Sequence, residues 1–192
     1  MVTFNSAVTN LGKFLLNMQS GLQAFTTQSY TEVNSKLGVQ FESAFYIPSL
    51  AGGGTYDIVV TTGTAPLAIK TMSLAFDTEL SSTQWFKNPA YTGGTSVPIY
   101  NYREGANSTP LVSLVGATTT TSTGTPVSSK VYAIGSASNG NRHVSSVMPT
   151  LGVERILEAN SVYLFRVINE DNVVMKASGH VSWYEGGLDY NP

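Results

Sequence analysis

The run Val162-Tyr163-Leu164-Phe165-Arg166-Val167-Ile168 is almost continuously apolar and is built from β-branched and aromatic residues. After it, Val173, Met175, Ala177, Val181 and Trp183 fall on one face of a second run. Lys176, Ser178, His180, Ser182 and Tyr184 fall on the other. A period of two marks a strand, because successive side chains leave opposite faces of the pleat. Between the runs stands Asn169-Glu170-Asp171-Asn172, a polar link of the kind that joins hairpin strands.

The same alternation extends back along the chain. Val39, Phe41, Phe45 and Ile47 share one face, with Gln40, Glu42 and Tyr46 on the other. Tyr56, Ile58 and Val60 follow the Gly52-Gly53-Gly54 breaker, and Met72, Leu74 and Phe76 repeat the pattern. Val97 and Ile99, Val112 and Leu114, and Val131 and Ala133 continue it. Gly-, Pro- and Asn-rich breaks separate these pieces, and no helical period intervenes, so a parallel α/β sheet is disfavoured. About eight or nine short strands with such punctuation predict an all-β fold, a sandwich or a barrel, of which the antiparallel β-sandwich is the expectation. The tract Thr118-Thr119-Thr120-Thr121-Ser122-Thr123-Gly124-Thr125 suits either an exposed loop or a polar edge strand.

Before residue 30 the period changes. Leu11, Leu15, Met18, Leu22 and Phe25 are spaced to lie on one stripe of a helix, with Asn10 placed to cap it. The expected organisation is therefore a short N-terminal helical arm over 1–30 and a sandwich domain over 31–192. The stripe suits a helix packed on its own domain. It equally suits an arm that docks on a neighbour, and its five apolar residues are the candidate interface.

Composition narrows the function. Charged residues are 11% of the chain, against roughly 25% in ordinary soluble domains. Ser and Thr together supply 44 of the 192 residues. A net charge of −2 argues against nucleic acid as a partner, since phosphate binding needs surplus Lys and Arg. No apolar run reaches the roughly 18 residues of a membrane helix, and no basic, apolar leader opens the sequence. The absence of cysteine excludes disulfides and thiolate metal sites.

Catalytic motifs are not evident, and no cofactor, metal or catalytic residue is expected. His143 lies in a turn-like stretch, and His180 on the polar face of its strand. Glu154 and Glu158 read as turn acids pairing locally with Arg155. Glu170 and Asp171 read as solvated acids at a hairpin tip, and Asp77 and Glu79 as two acids sharing a strand face. Tyr91, Tyr100, Tyr102, Tyr184 and Tyr190 sit near turns and strand ends, where rings serve interfaces or sugar stacking.

One resemblance bears on function. Its residues are Asn88-Pro89-Ala90-Tyr91-Thr92-Gly93-Gly94-Thr95 with Val97-Pro98-Ile99-Tyr100-Asn101-Tyr102-Arg103, then Gly140-Asn141-Arg142, Glu154-Arg155-Ile156-Leu157-Glu158-Ala159-Asn160-Ser161-Val162-Tyr163-Leu164, and Trp183-Tyr184-Glu185-Gly186. Over roughly residues 36–186 the chain resembles small structural proteins of tailed bacteriophages. The resemblance implies a jelly-roll type of β-sandwich and a non-enzymatic virion protein that decorates and stabilises the capsid surface. It also implies the major capsid protein as partner, self-association as a homotrimer or homodimer, and synthesis in the host cytoplasm. The alternative is a tail- or fibre-associated protein that binds a host surface glycan.

Overall fold

The computed structural model describes residues 30–134 and 154–186, with the short strands at 137–138, 141–142 and 145–147. The chain forms two compact units, Met1–Val33 and Asn34–Pro192. Leu11, Leu15, Met18, Leu22 and Phe25 lie outside the described residues, as do His143 and Tyr190.

A helix that periodicity does not announce, α1 (Tyr30–Leu37), opens the described chain. It ends on Gly38, whose φ of 73° lies in the left-handed region that glycine enters without strain. The Gly38 N–H donates to the Ser35 carbonyl and the Val39 N–H to that of Asn34, which closes the last turn. A side chain at Gly38 would also meet the Ala106 methyl at 2.9 Å.

Among the described residues seventeen strands follow, most of them short. They are β1 (Gln40–Leu50), β2 (Thr55–Thr61), β3 (Leu67–Phe76), β4 (Leu80–Lys87), β5 (Ala90–Thr92), β6 (Thr95–Ser96), β7 (Tyr100–Asn101), β8 (Ser113–Gly116) and β9 (Thr119–Ser122). The rest are β10 (Thr125–Pro126), β11 (Val131–Ile134), β12 (Ala137–Ser138), β13 (Asn141–Arg142), β14 (Ser145–Val147), β15 (Arg155–Leu157), β16 (Val162–Asn169) and β17 (Met175–Glu185). Two antiparallel sheets carry the structure. The first runs β14-β3-β17-β1-β7, with β15 also on β3, and the second runs β10-β4-β16-β2-β8-β6, with β11 also on β4.

The protein is thus an all-β antiparallel sandwich, as the alternation predicts. The inner faces meet in one core drawn from both sheets: Phe41, Ile47, Leu74, Phe76, Met175 and Trp183 from the first, and Ile58, Val60, Trp85, Phe165 and Val167 from the second. Gly179 has no room for a side chain, because a Cβ there would lie 2.3 Å from Phe45 Cε1. The Phe45 ring instead covers the bare backbone and stacks on Tyr56 with centroids 6.4 Å apart. An apolar cavity of about 40 Å³ remains between the sheets, bordered by Phe45, Val60, Met72, Val97, Phe165 and Trp183.

The link after Ile168 corrects one expectation. It does not close a hairpin, because β16 belongs to the second sheet and β17 to the first. The chain crosses the sandwich there, and Asn169 makes the crossing rigid. Its fully buried side-chain amide donates to the Leu50, Ala51 and Val173 carbonyls, and its Oδ1 accepts from the Asp171 N–H. Gly52 packs against the same link, with no space for a Cβ beside the Asn172 backbone. Asp77 and Glu79 are also corrected: they occupy the turn between β3 and β4 rather than a strand face.

Between β4 and β11 the chain inserts β5 to β10. The β5–β9 pair settles the Thr-rich tract as a polar strand over Thr119–Ser122. Beside it lies a second small core on the outer face of the second sheet, Val59, Phe86 and Leu164 with Tyr91 and Val162. Arg166 and Asp57 pair there, Nε to Oδ1 at 2.7 Å and Nη2 to Oδ2 at 2.6 Å, and the Thr120 hydroxyl donates to the same carboxylate.

Candidate functional site

Two exposed surfaces concentrate the side chains able to bind something. The first is the outer face of the first sheet. Because β1 alternates, Glu42, Ala44 and Tyr46 turn outward while Phe41, Ser43 and Ile47 are buried. His180 and Ser182 of β17 lie on the same face, paired across from Ala44 and Glu42, and Tyr100 of β7 pairs across from Glu42 on the other side.

Local bonds fix this platform. The Tyr102 N–H donates to the Gln40 carbonyl, and the Asn101 side-chain amide donates to the Gly38 carbonyl. The Arg103 N–H and guanidinium donate to Asn101 Oδ1 and the Lys36 carbonyl. The helix end at Gly38 therefore places β7. At the centre, Glu42 Oε2 and His180 Nε2 are 2.9 Å apart, both side chains partly exposed. Burial raises the Tyr102 hydroxyl pKa above its ordinary value, and Glu42 raises it further, so the group remains a protonated donor. Ser182 and Thr71 share a hydrogen bond of 2.6 Å. Tyr100 and Tyr46 stand 62% and 60% exposed, and Tyr102 44%.

The second surface is one flank of the sandwich, where edge strands of both sheets end. Ile134 is 77% exposed there and, with Tyr132, faces out from the second sheet; Val127 and Val131 are exposed along the edge, and exposed Ile156 faces out from the first sheet. Arg155 spans this flank, its guanidinium over the Trp85 ring and donating to the Val127 carbonyl.

The acids read from the sequence are paired, but with distant partners. Glu154 bonds Lys70 at 2.8 Å and accepts from the Tyr184 hydroxyl. Burial pushes its carboxyl upward, yet Lys70 and Tyr184 together outweigh that and hold it below the ordinary value. Glu158 pairs with Lys87 at 2.5 Å, so the expected local pairing with Arg155 gives way to cross-strand lysines. Glu170 is held low mainly by Lys130, then by Ser82. Asp171 accepts from the Asn172 N–H at 2.7 Å. Among the described residues no three acidic or His side chains gather as a metal site.

Of the tyrosines singled out from the sequence, Tyr100 and Tyr102 are exposed, Tyr184 is buried and Tyr91 packs in the small outer core. Tyr46 joins the exposed pair and was legible only as a polar-face residue. Trp85 and Trp183 are core residues and offer no surface ring. No family model, curated protein or solved structure matches the chain.

Proposed function

We propose that the chain is a non-enzymatic virion structural protein that binds and stabilises a capsid surface. The observation that carries this reading is the exposed apolar edge strand of the second sheet, with Val131, Tyr132 and Ile134 of β11. Aliphatic side chains left this exposed on a weakly charged protein mark a protein contact. The resemblance to small phage structural proteins supplies the partner, the major capsid protein. Winding also supports it: β17 lies between β1 and β3, and β16 between β2 and β4, in keeping with a jelly roll. Self-association as a trimer or dimer suits a symmetric lattice, where each repeated contact acts at high effective concentration. The stripe Leu11, Leu15, Met18, Leu22 and Phe25 is proposed as the contact between subunits or with the shell.

The test is co-sedimentation of the purified chain with capsids that lack it. Binding is expected, and Tyr132→Asp with Ile134→Asp abolishes it without altering the melting temperature. A chain that leaves such shells bare, or binds equally well with both charges in place, overturns the assignment.

A further inference from the structure

We infer that the Tyr100–Tyr102 platform on the first sheet is a binding site for a neutral saccharide. The inference does not rest on the capsid reading. Three features carry it. First, two exposed rings border one carboxylate: Tyr100 is the cross-strand partner of Glu42, and the Tyr102 hydroxyl interacts with Glu42 and Ser182. Tyrosine offers a flat apolar face for the C–H face of a sugar, with few torsions to immobilise.

Second, Glu42 has capacity left. A carboxylate offers about four acceptor positions. His180 and Tyr102 use two of them, and the Glu42 side chain remains 38% exposed. Two neighbouring hydroxyls of a sugar can donate to the rest, and charge-assisted bonds of this type are the stronger ones.

Third, the charge nearest the two rings is the Glu42 carboxylate, which disfavours an anionic ligand, while the Arg103 guanidinium is turned to the Lys36 carbonyl. The neighbouring groups Ser182, Thr71 and Ala44 are uncharged. A neutral polyol suits these acceptors where a polyanion does not. Tyr46 lies four residues along β1 on the same face, roughly 13 Å from Glu42 along the strand, which sets the site's length beyond one sugar ring.

The experiment is saturation-transfer difference NMR on the full chain with maltohexaose, cellohexaose, hexa-N-acetylchitohexaose and, as an anionic control, a hyaluronan hexasaccharide. At least one neutral hexasaccharide is expected to receive saturation, and the anionic one to receive less. Tyr100→Ser and Tyr102→Ser are each expected to weaken binding about tenfold. Amide spectra report whether each variant is folded. Should Tyr102→Ser lose its fold, the decision rests on Tyr100→Ser, whose side chain is mostly in solvent. Silence from all three neutral sugars, stronger transfer to the anionic one, or unchanged affinity in Tyr100→Ser overturns the inference.

Discussion

Breaking the Asp57–Arg166 pair tests how far a buried ion pair between β2 and β16 holds the second sheet and, through Thr120, the β5–β9 pair beside it. Asp57 is 4% exposed in its side chain and Arg166 18%, and two direct bonds join them. Each charge-assisted bond contributes about 1.5–3 kcal/mol, so losing both costs about 3–6 kcal/mol. Stranding one member of a buried pair costs about 3–5 kcal/mol by direct comparison. Arg166 retains some solvent, so Asp57→Leu is expected near the lower figure, about 3 kcal/mol. Arg166→Met strands the more deeply buried carboxylate and costs about 4 kcal/mol. The double substitution removes both charges together and is expected to cost less than either single, a coupling of more than about 4 kcal/mol. Urea unfolding followed by fluorescence of the buried Trp85 and Trp183 measures this, read as midpoint shifts at constant slope. Hydrogen exchange at Thr119 to Ser122 is expected to speed up in Asp57→Leu, because Thr120 loses its acceptor. Singles that each cost under about 1 kcal/mol, or a double equal to their sum, would refute the reasoning.

Asn169→Ala removes the shared donor of the Leu50, Ala51 and Val173 carbonyls, and a loss of about 2–4 kcal/mol in chemical denaturation is expected. Val60→Ile fills part of the 40 Å³ cavity. At about 24 cal/mol per Å³ the gain is at most about 1 kcal/mol, seen as a melting temperature up to about 4 °C higher by calorimetry. Glu170 takes up its proton less readily folded than unfolded, since its carboxyl is held below the ordinary 4.5. Its stabilising effect is therefore present above about pH 4.5 and is lost as pH falls through the lowered value. Melting temperature against pH is expected to fall on the acid side, and less steeply in Glu170→Gln.

The strands that alternate were legible in the sequence because burial on one face writes itself as a period of two. Phe41, Ile47, Ile58, Val60, Leu74, Phe76, Met175, Ala177 and Trp183 all turn inward as that period requires. The path between strands was not legible. A polar four-residue link serves a hairpin and a sheet crossing equally well, and what distinguishes them, Asn169 reaching Leu50 and Ala51, is a contact over more than a hundred residues. Separations of 30 to 88 residues hid the partners of Glu154, Glu158 and Glu170 in the same way. Helix α1 escaped notice because Tyr-Thr-Glu-Val-Asn-Ser-Lys-Leu has no sustained apolar stripe, and its one local signal is the glycine after Leu37 with Lys36 in the last turn. For the saccharide platform, the outward position of Glu42, Tyr46 and His180 was readable, whereas the arrival of β7 beside β1 was not.

The place of β17 has a consequence for how the molecule is made. It lies between β1 and β3, so the first sheet stays split until β17, made well after both, is available. At about 5–20 residues per second, the stretch from Gln40 to Met175 takes roughly 7–27 s to translate. Throughout that interval β1 and β3 each present an unpaired edge, the state in which nascent sheets aggregate. The reward is a form of proofreading: a polypeptide released before Met175 cannot zip its halves together and never passes for a finished one.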